Sequence, residues 1–472
     1  MSLNLKRIIL GLASLVLFSA CNKLVDAPAP SSVVESSTVY ASDANAELGM
    51  QGIYLQIMDN ARGPYNGNVT IYSALSADEL DFALPPNALN RTEDSFYLNQ
   101  VNPGNLLNAN FYTGSYHIIY FLNSMLDGLS GPNGLSAAKD TALTGEVKLL
   151  RAWIYFYLVN LYGDVPLVTA TLYSATATQP RAPTTAVWQQ ILNDLQDAQK
   201  ALPAGYITND RTRPVQAVAL ALLARVWLYR GNWSQAAMAA SQVIGDGRYQ
   251  LEADLTRVFL NGSREAIWQF RPVYSQQLPT LETVAVATAE GAAFLPKNDS
   301  AAPGYVLQNS LLNSWEAGDQ RVAAWTKKVV VRGRSIVYPW KYKQAVRPPV
   351  DAEYETVLRL AELYLIRAEA RARMGDLSGA AADLNVVRQR AGLGGTTAGG
   401  TVDDLLDAIM RERRVELMAE WGHRWLDLKR TGTANLVLQG KAGWIATDTL
   451  YPIPASELLA NPHLTQNPGY VQ

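Results

Sequence analysis

Few side chains in this sequence have the types and spacing that covalent chemistry needs. Asp78 and Glu79, in Ser-Ala-Asp-Glu-Leu, are paired acids. A glycosidase needs two carboxylates placed across a sugar ring, whereas adjacent residues can face apart, so no catalytic residue is assigned. His117, His423 and His463 are the only histidines. No two of them stand at metal-ligand spacing, and neither a metal nor a cofactor is expected. His423, among Arg424, Asp427 and Lys429, reads as a packed, hydrogen-bonded structural residue. The glycine-rich stretch 392–400 lacks the Gly-Lys-Ser/Thr ending of a phosphate-binding loop and follows a helical pattern. It reads as a flexible link between helices. The charged run 411–416 sets opposite charges at helical spacing and reads as a salt-bridged structural face. No Gly-x-Ser-x-Gly occurs.

Binding chemistry is better represented. The chain has 23 Tyr and 11 Trp against 9 Phe, and the first two carry an apolar body with a polar tip. Two stretches, 63–104 and 272–350, lack sustained helical periodicity and are rich in Gly, Asn, Pro and Ser. Aromatics within them have no helical core to fill. The candidate ligand contacts are therefore Tyr65, Phe96 and Tyr97 in the first stretch, and Tyr274 and Tyr305 in the second. Asn66, Asn68, Arg91, Gln276 and Gln277 stand beside them as polar companions. Such a set suits a sugar, with rings stacked on aromatics and hydroxyls bonded by amides and guanidinium. The competing reading is that these aromatics pin their own loops to the scaffold. Trp315 and Trp325 flank Gly318-Asp-Gln-Arg321 and are set aside.

One further residue is chemically marked by its position. Lys6 and Arg7 precede the apolar run 8–18, followed by Ser19, Ala20 and Cys21, the sole cysteine. The run is too short to span a bilayer and fits a secretory signal. Small residues directly before the cysteine resemble the bacterial lipobox, which implies cleavage before Cys21 and acylation of it. Residues 1–20 are then the signal peptide, 21–40 a lipidated tether and 41–472 one domain, with halves near 41–260 and 261–472. No other segment approaches eighteen uninterrupted apolar residues, so the expected chain is anchored to a membrane by lipid and does not cross it.

The elements that must carry these residues are mostly helices. Of 472 residues, 48% are hydrophobic, so a large core can be buried, and a net charge of −2 gives no clustered cationic surface for nucleic acid. Helical periodicity marks 44–59, 112–129, 141–162 (ending at Gly163) and a helix to Leu202 capped by Thr184 or Thr185. Segments 224–244 and 368–387 align on Gly231 and Gly375 and share alanines and a Gly-Asn or Gly-Asp turn. Such spacing is that of tetratricopeptide-like helix pairs. Within 272–350, Lys328-Val-Val-Val and Ile336-Val-Tyr predict one or two short strands.

Four blocks then resemble a known family. Arg151-Ala-Trp-Ile-Tyr-Phe-Tyr-Leu-Val-Asn-Leu-Tyr-Gly-Asp-Val-Pro is similar to the aromatic-rich helix and turn of SusD/RagB proteins. Leu358 to Ala370, Arg411 to Leu417 with Glu420-Trp-Gly-His-Arg-Trp, and Leu450-Tyr-Pro-Ile-Pro with Asn461 to Tyr470 resemble later blocks in the same order. The resemblance covers the chain from about residue 40 to its end. It implies a mostly α fold of tetratricopeptide-like helix pairs, forming an α–α superhelix, that carries a loop-rich ligand region with a few short strands. It also implies a non-catalytic surface lipoprotein of the outer membrane. Such a protein captures a nutrient, most often a glycan, as lid to a SusC-like TonB-dependent transporter. A peptide or other nutrient in the same role is the alternative, and a surface glycan-degrading enzyme is the rival class. The family's ligand contacts follow no motif, so none carries over residue by residue.

Overall fold

The helices begin and end where local chemistry dictates. The structure, a computed structural model, describes residues 36–58, 63–84, 91–208, 210–272, 287–298, 301–331, 333–344, 353–398 and 400–471. Helix Ala137–Tyr162 starts at Ser136, whose hydroxyl accepts from the Lys139 N–H, and stops at Gly163, at φ +73°. Its second half is apolar on nearly every side and is buried accordingly. Helix Leu106–Ser130 packs along one side of it and helix Thr184–Ala201 along another. The threonine cap expected for the latter is not formed. That helix opens after Pro183, and the Thr184 N–H donates instead to Asp164 Oδ1 at 2.8 Å. The turn that ends one helix thus caps the next.

The internal repeat is real at atomic level. Helix pairs Gln216–Tyr229 with Trp233–Ile244 and Leu360–Arg373 with Leu377–Arg390 are built alike. Gly231 and Gly375 both take positive φ, which a side chain would resist. Asn232 and Asp376 then cap the second helix, accepting from the Gln235 and Gly379 N–H groups. Ala224, Ala368, Ala236, Ala380, Val243 and Val387 are fully buried at the matched positions. Small side chains there let the paired helices approach closely.

Strands are short and few. Leu80–Phe82 (β1), Ala266–Phe270 (β2), Tyr305–Leu307 (β3), Thr326–Val331 (β4), Arg334–Pro339 (β5) and Glu355–Arg359 (β6) form antiparallel pairs β1–β3, β2–β6 and β4–β5. The β4–β5 hairpin covers both predicted strands. The stretch 63–104 is less irregular than its composition suggested. It contains helix Val69–Ser76, buried along its whole length, because its residues are apolar or small enough to pack on every side.

Charge joins the halves of the chain. Arg225, 1% exposed, clasps Glu362 with two hydrogen bonds of 2.7 and 2.6 Å, linking helix Gln216–Tyr229 to helix Leu360–Arg373. The charged run 411–416 is a salt-bridged structural face, as its spacing suggests, and from Glu412 onward it is largely buried. Glu412 and Glu416 both receive Arg321 Nη1, at 2.5 and 2.7 Å, and Arg413 pairs with Asp427. His423 is packed as expected, but its Nδ1 has no hydrogen-bond partner among the described residues. Burial pushes its imidazole down to about 4, so it is neutral.

Truncating one partner of a buried pair strands the other charge, at a cost of about 3–5 kcal/mol, whereas replacing both by apolar residues is often neutral. Arg225→Ala is therefore expected to lower the urea midpoint sharply. The double variant Arg225→Met, Glu362→Leu should recover most of the loss. A single variant as stable as the parent would show that the pair does not join the halves.

Candidate functional site

The two loop-rich stretches meet. Their contact begins where Gly67, at φ +92°, lies against Ala289; a Cβ on Gly67 would come within 3.0 Å of the Ala289 methyl. It continues in the β1–β3 ladder, where Leu80, Asp81 and Phe82 pair with Leu307, Val306 and Tyr305. Gln308 extends the ladder, its N–H bonding Glu79 O and its side chain Leu80 O. Alternation places Leu80, Phe82, Leu307 and Tyr305 inward.

At the open end of this ladder lies a cavity of about 620 Å³. Its walls are Phe82, Ala83, Leu84, Arg91 and Glu93 from the first stretch. From the second come Ala289, Ala292 and Ala293 on helix Ala289–Phe294, then Leu295, Lys297 and residues 301–305. Phe82 and Tyr305 face each other across the ladder with ring centroids 5.5 Å apart, and Phe294 meets Tyr305 edge-on. The Arg91 guanidinium sits 3.6 Å above the Phe82 ring and is held there by Asp94 (3.0 Å) and by Leu84 O (3.2 Å). Alanines give the space and aromatics an apolar floor, while Arg91, Glu93 and Lys297 give a polar edge. That combination fits a ligand with apolar faces and hydrogen-bonding rims, and a sugar ring is one.

Of the residues singled out by sequence, the structure brings Arg91 and Tyr305 together in this cavity. Tyr97 is half-buried just behind it, its ring 5.9 Å from Phe82. Four others are corrected. Tyr65 is fully buried, its ring set against Phe111, Trp153 and Tyr157 and its hydroxyl 3.0 Å from Ser115. Phe96 stacks on Tyr72 at 4.3 Å. Neither face is open to a ligand, because the helices behind the loop offered an apolar surface that these rings cover. Asn66 turns inward to donate to Met58 O at 2.6 Å, and Asn68 is likewise buried. Tyr274, Gln276, Gln277 and Cys21 lie outside the described residues. Sequence reasoning missed Phe82, Lys297 and the alanine helix. Phe82 had a faint signal in the alternation Leu80-Asp-Phe; the alanines had none.

Ionic groups hold the walls from behind. Asp78, just before β1, receives Arg424 Nε at 2.7 Å and Arg414 Nη2 at 2.6 Å. Lys441 Nζ binds the carbonyls of Leu75, Ser76 and Ala77 at 2.7, 3.1 and 2.9 Å, closing the end of helix Val69–Ser76. Glu79 points into the core, where Oε1 accepts the Ala419 N–H at 3.3 Å. Burial, with help from the Asp78 charge, pushes its carboxyl up to about 8. On the other wall Glu290 Oε1 receives the Thr70 hydroxyl at 2.5 Å. Burial beside Glu355 holds Glu290 far above the carboxylate range, and burial pushes Glu355 up to about 8. Among the described residues no group of three or more metal-ligating side chains occurs.

A carboxyl whose folded-state value exceeds its unfolded one binds its proton more tightly in the fold. Its stabilisation is complete below about 4.5 and is withdrawn as pH rises towards about 8. Glu79→Gln should accordingly flatten the fall in melting temperature between pH 5 and pH 8. A variant whose melting temperature keeps the parent's slope would show that Glu79 is ionised in the fold.

Comparison with known proteins agrees with this architecture. Residues 41–228 match the sequence model described as starch-binding associating with outer membrane, and residues 288–470 match that of the SusD family. The SusD-like protein P2 of Formosa agariphila is 26% identical over 489 residues, covering 93% of this chain and 95% of its own. Starch-binding protein SusD of Bacteroides thetaiotaomicron is 35% identical over 151 residues, 29% of this chain and 26% of its own. A SusD superfamily protein from Bacteroides vulgatus superposes with a TM-score of 0.77 at 21% identity, covering 91% of this chain and 99% of that one. A laminarin-binding SusD-like protein does so with a TM-score of 0.75 at 25% identity, covering 91% and 100%. With both family matches in chain order on a helical scaffold of the same shape, the chain belongs to the SusD/RagB family.

Proposed function

We propose that this protein is a non-catalytic glycan-capture lipoprotein that receives its ligand in the cavity between β1 and helix Ala289–Phe294. The observation that carries the reading is that cavity. The two irregular stretches of a helical family member converge there on an aromatic floor with a charged rim. Relatives whose names state starch or laminarin binding make a glucan the first ligand to try. The fate of the paired acids supports the non-catalytic reading. Two arginines neutralise Asp78, and Glu79 faces a backbone N–H in the core, so neither is placed to act on a bound sugar.

In the same reading residues 1–20 direct export, Cys21 carries lipid, 21–40 form the tether, and 41–472 act as one domain at the outer face of the outer membrane. The domain serves there as lid to a SusC-like TonB-dependent transporter. Three features support this: the lipobox-like sequence, the outer-membrane description of the matched family, and the fact that no helix among the described residues is long and apolar enough to cross a membrane.

Two experiments test the proposal. Ala292 is exposed on the cavity wall, so Ala292→Trp should fill the space and weaken binding of laminarihexaose or maltohexaose by about tenfold or more, with the melting temperature unchanged. Equal affinity in parent and variant would remove the cavity from consideration. Cys21→Ala should move the protein from the membrane fraction to the soluble one, and a variant that still sediments with outer membranes would rule out the lipid anchor.

A further inference from the structure

Three features that the first cavity does not use converge elsewhere. The glycine-rich loop after Arg390, the turn at residues 314–321 and the outer face of helix Val402–Glu416 enclose a second cavity of about 470 Å³. Its size lies within the roughly 300–1,000 Å³ range of small-molecule sites. It shares no lining residue with the first.

Its walls are fixed. Arg388 bridges Glu316 with bonds of 2.6 and 3.0 Å and holds the loop through Gly394 O at 3.1 Å. The Thr396 N–H is bound by Asn385 Oδ1 at 2.6 Å. Glu412, only 3% exposed, is held by Arg321 at 2.5 Å. Arg411 is different: it is exposed, lines the cavity, and its side chain makes no hydrogen bond among the described residues.

The chemistry of the lining selects the ligand class. Arg321, Asp319 and Glu412 are buried and bonded to one another, so the charges a ligand can reach are Glu316 and Arg388, which pair together, and Arg411. An anion there would meet the Glu316 carboxylate and a cation the guanidiniums of Arg388 and Arg411. A hydroxyl meets no such conflict, because it donates to a carboxylate and accepts from a guanidinium at once. Ala398, Ala408 and Val415 add an apolar patch on which the C–H face of a ring can rest. We propose that this cavity is a second binding site for a neutral oligosaccharide, set apart from the first. The inference rests on the glycan reading given above.

The Ala292→Trp background isolates it. The mature protein, extracted in mild detergent, is titrated with laminarihexaose, maltohexaose and glucuronate by calorimetry. In that background a weaker neutral-glucan site should remain. Arg411→Ala, which removes an exposed and unbonded group, should weaken that site by about fivefold. Thr397→Trp, on the exposed loop, should abolish it, with melting temperatures showing that both variants fold. Residual binding unmoved by either change would overturn the assignment, as would no residual binding at all. Binding of glucuronate alone would overturn the neutral class. Failure of the first reading registers separately, as an affinity that Ala292→Trp does not alter in an otherwise native chain.

Discussion

Arg359 is the point from which the interior is tied. It is 2% exposed and bonds Glu265 at 2.9 Å, Glu416 at 2.5 Å and both oxygens of Glu420 at 2.8 and 2.9 Å. Arg390, Arg321 and Lys341 pack against the same carboxylates. In a low-dielectric interior each of these charges is tolerable only because the others are present and oriented. The cluster therefore specifies one arrangement of β6, helix Leu377–Arg390, helix Val402–Glu416 and the segment after β5. Any other arrangement leaves a buried charge unpaired.

From this cluster the constraint passes to the ligand cavity through residues 416–422. The backbone there is unusual: Ala419 and Trp421 take positive φ of 49° and 45°, which residues with a Cβ adopt at a cost. Glu420 is gripped by Arg359 and Lys341, and Arg359 Nη2 binds Glu416 O, so the turn is held from inside. Two of its buried amides are then used. The Ala419 N–H reaches Glu79, next to β1, and the Trp421 N–H reaches Thr70, whose hydroxyl binds Glu290 on the alanine helix. Both cavity walls hang from one strained turn. A motif first noticed as a family signature thus has a mechanical role, and the cavity's rigidity follows from ion pairs remote from it.

Polar anchoring of this kind also explains why the irregular stretches can be loop-like without being loose. Their own apolar content is modest, but Tyr65, Phe96 and helix Val69–Ser76 fill space against the long helices. Their charged residues find partners far along the chain, as Asp78 does with Arg414 and Arg424. What remains at the front is a shallow floor of Phe82 and Tyr305 with alanines around it. Ligand specificity can then vary with a few residues while the supporting ion pairs stay the same.

Sequence alone determined the helical scaffold and the family, because those signals are local. A glycine at positive φ followed by an Asn or Asp cap marks each helix pair, and an apolar run such as that of helix Ala137–Tyr162 is buried whatever surrounds it. Tertiary structure decided the ligand face. Tyr65 and Tyr305 look alike in sequence, each an aromatic in a stretch without periodicity. One lies at the centre of an aromatic core and the other on a cavity wall, since Phe111, Trp153 and Tyr157 cover the first and β1 meets the second. Likewise the spacing of the run 411–416 marked a salt-bridged face, but only the tertiary structure decided that its partners are the buried Arg321 and Arg359. Which side of a residue is covered depends on partners distant in the chain, and no local pattern encodes them.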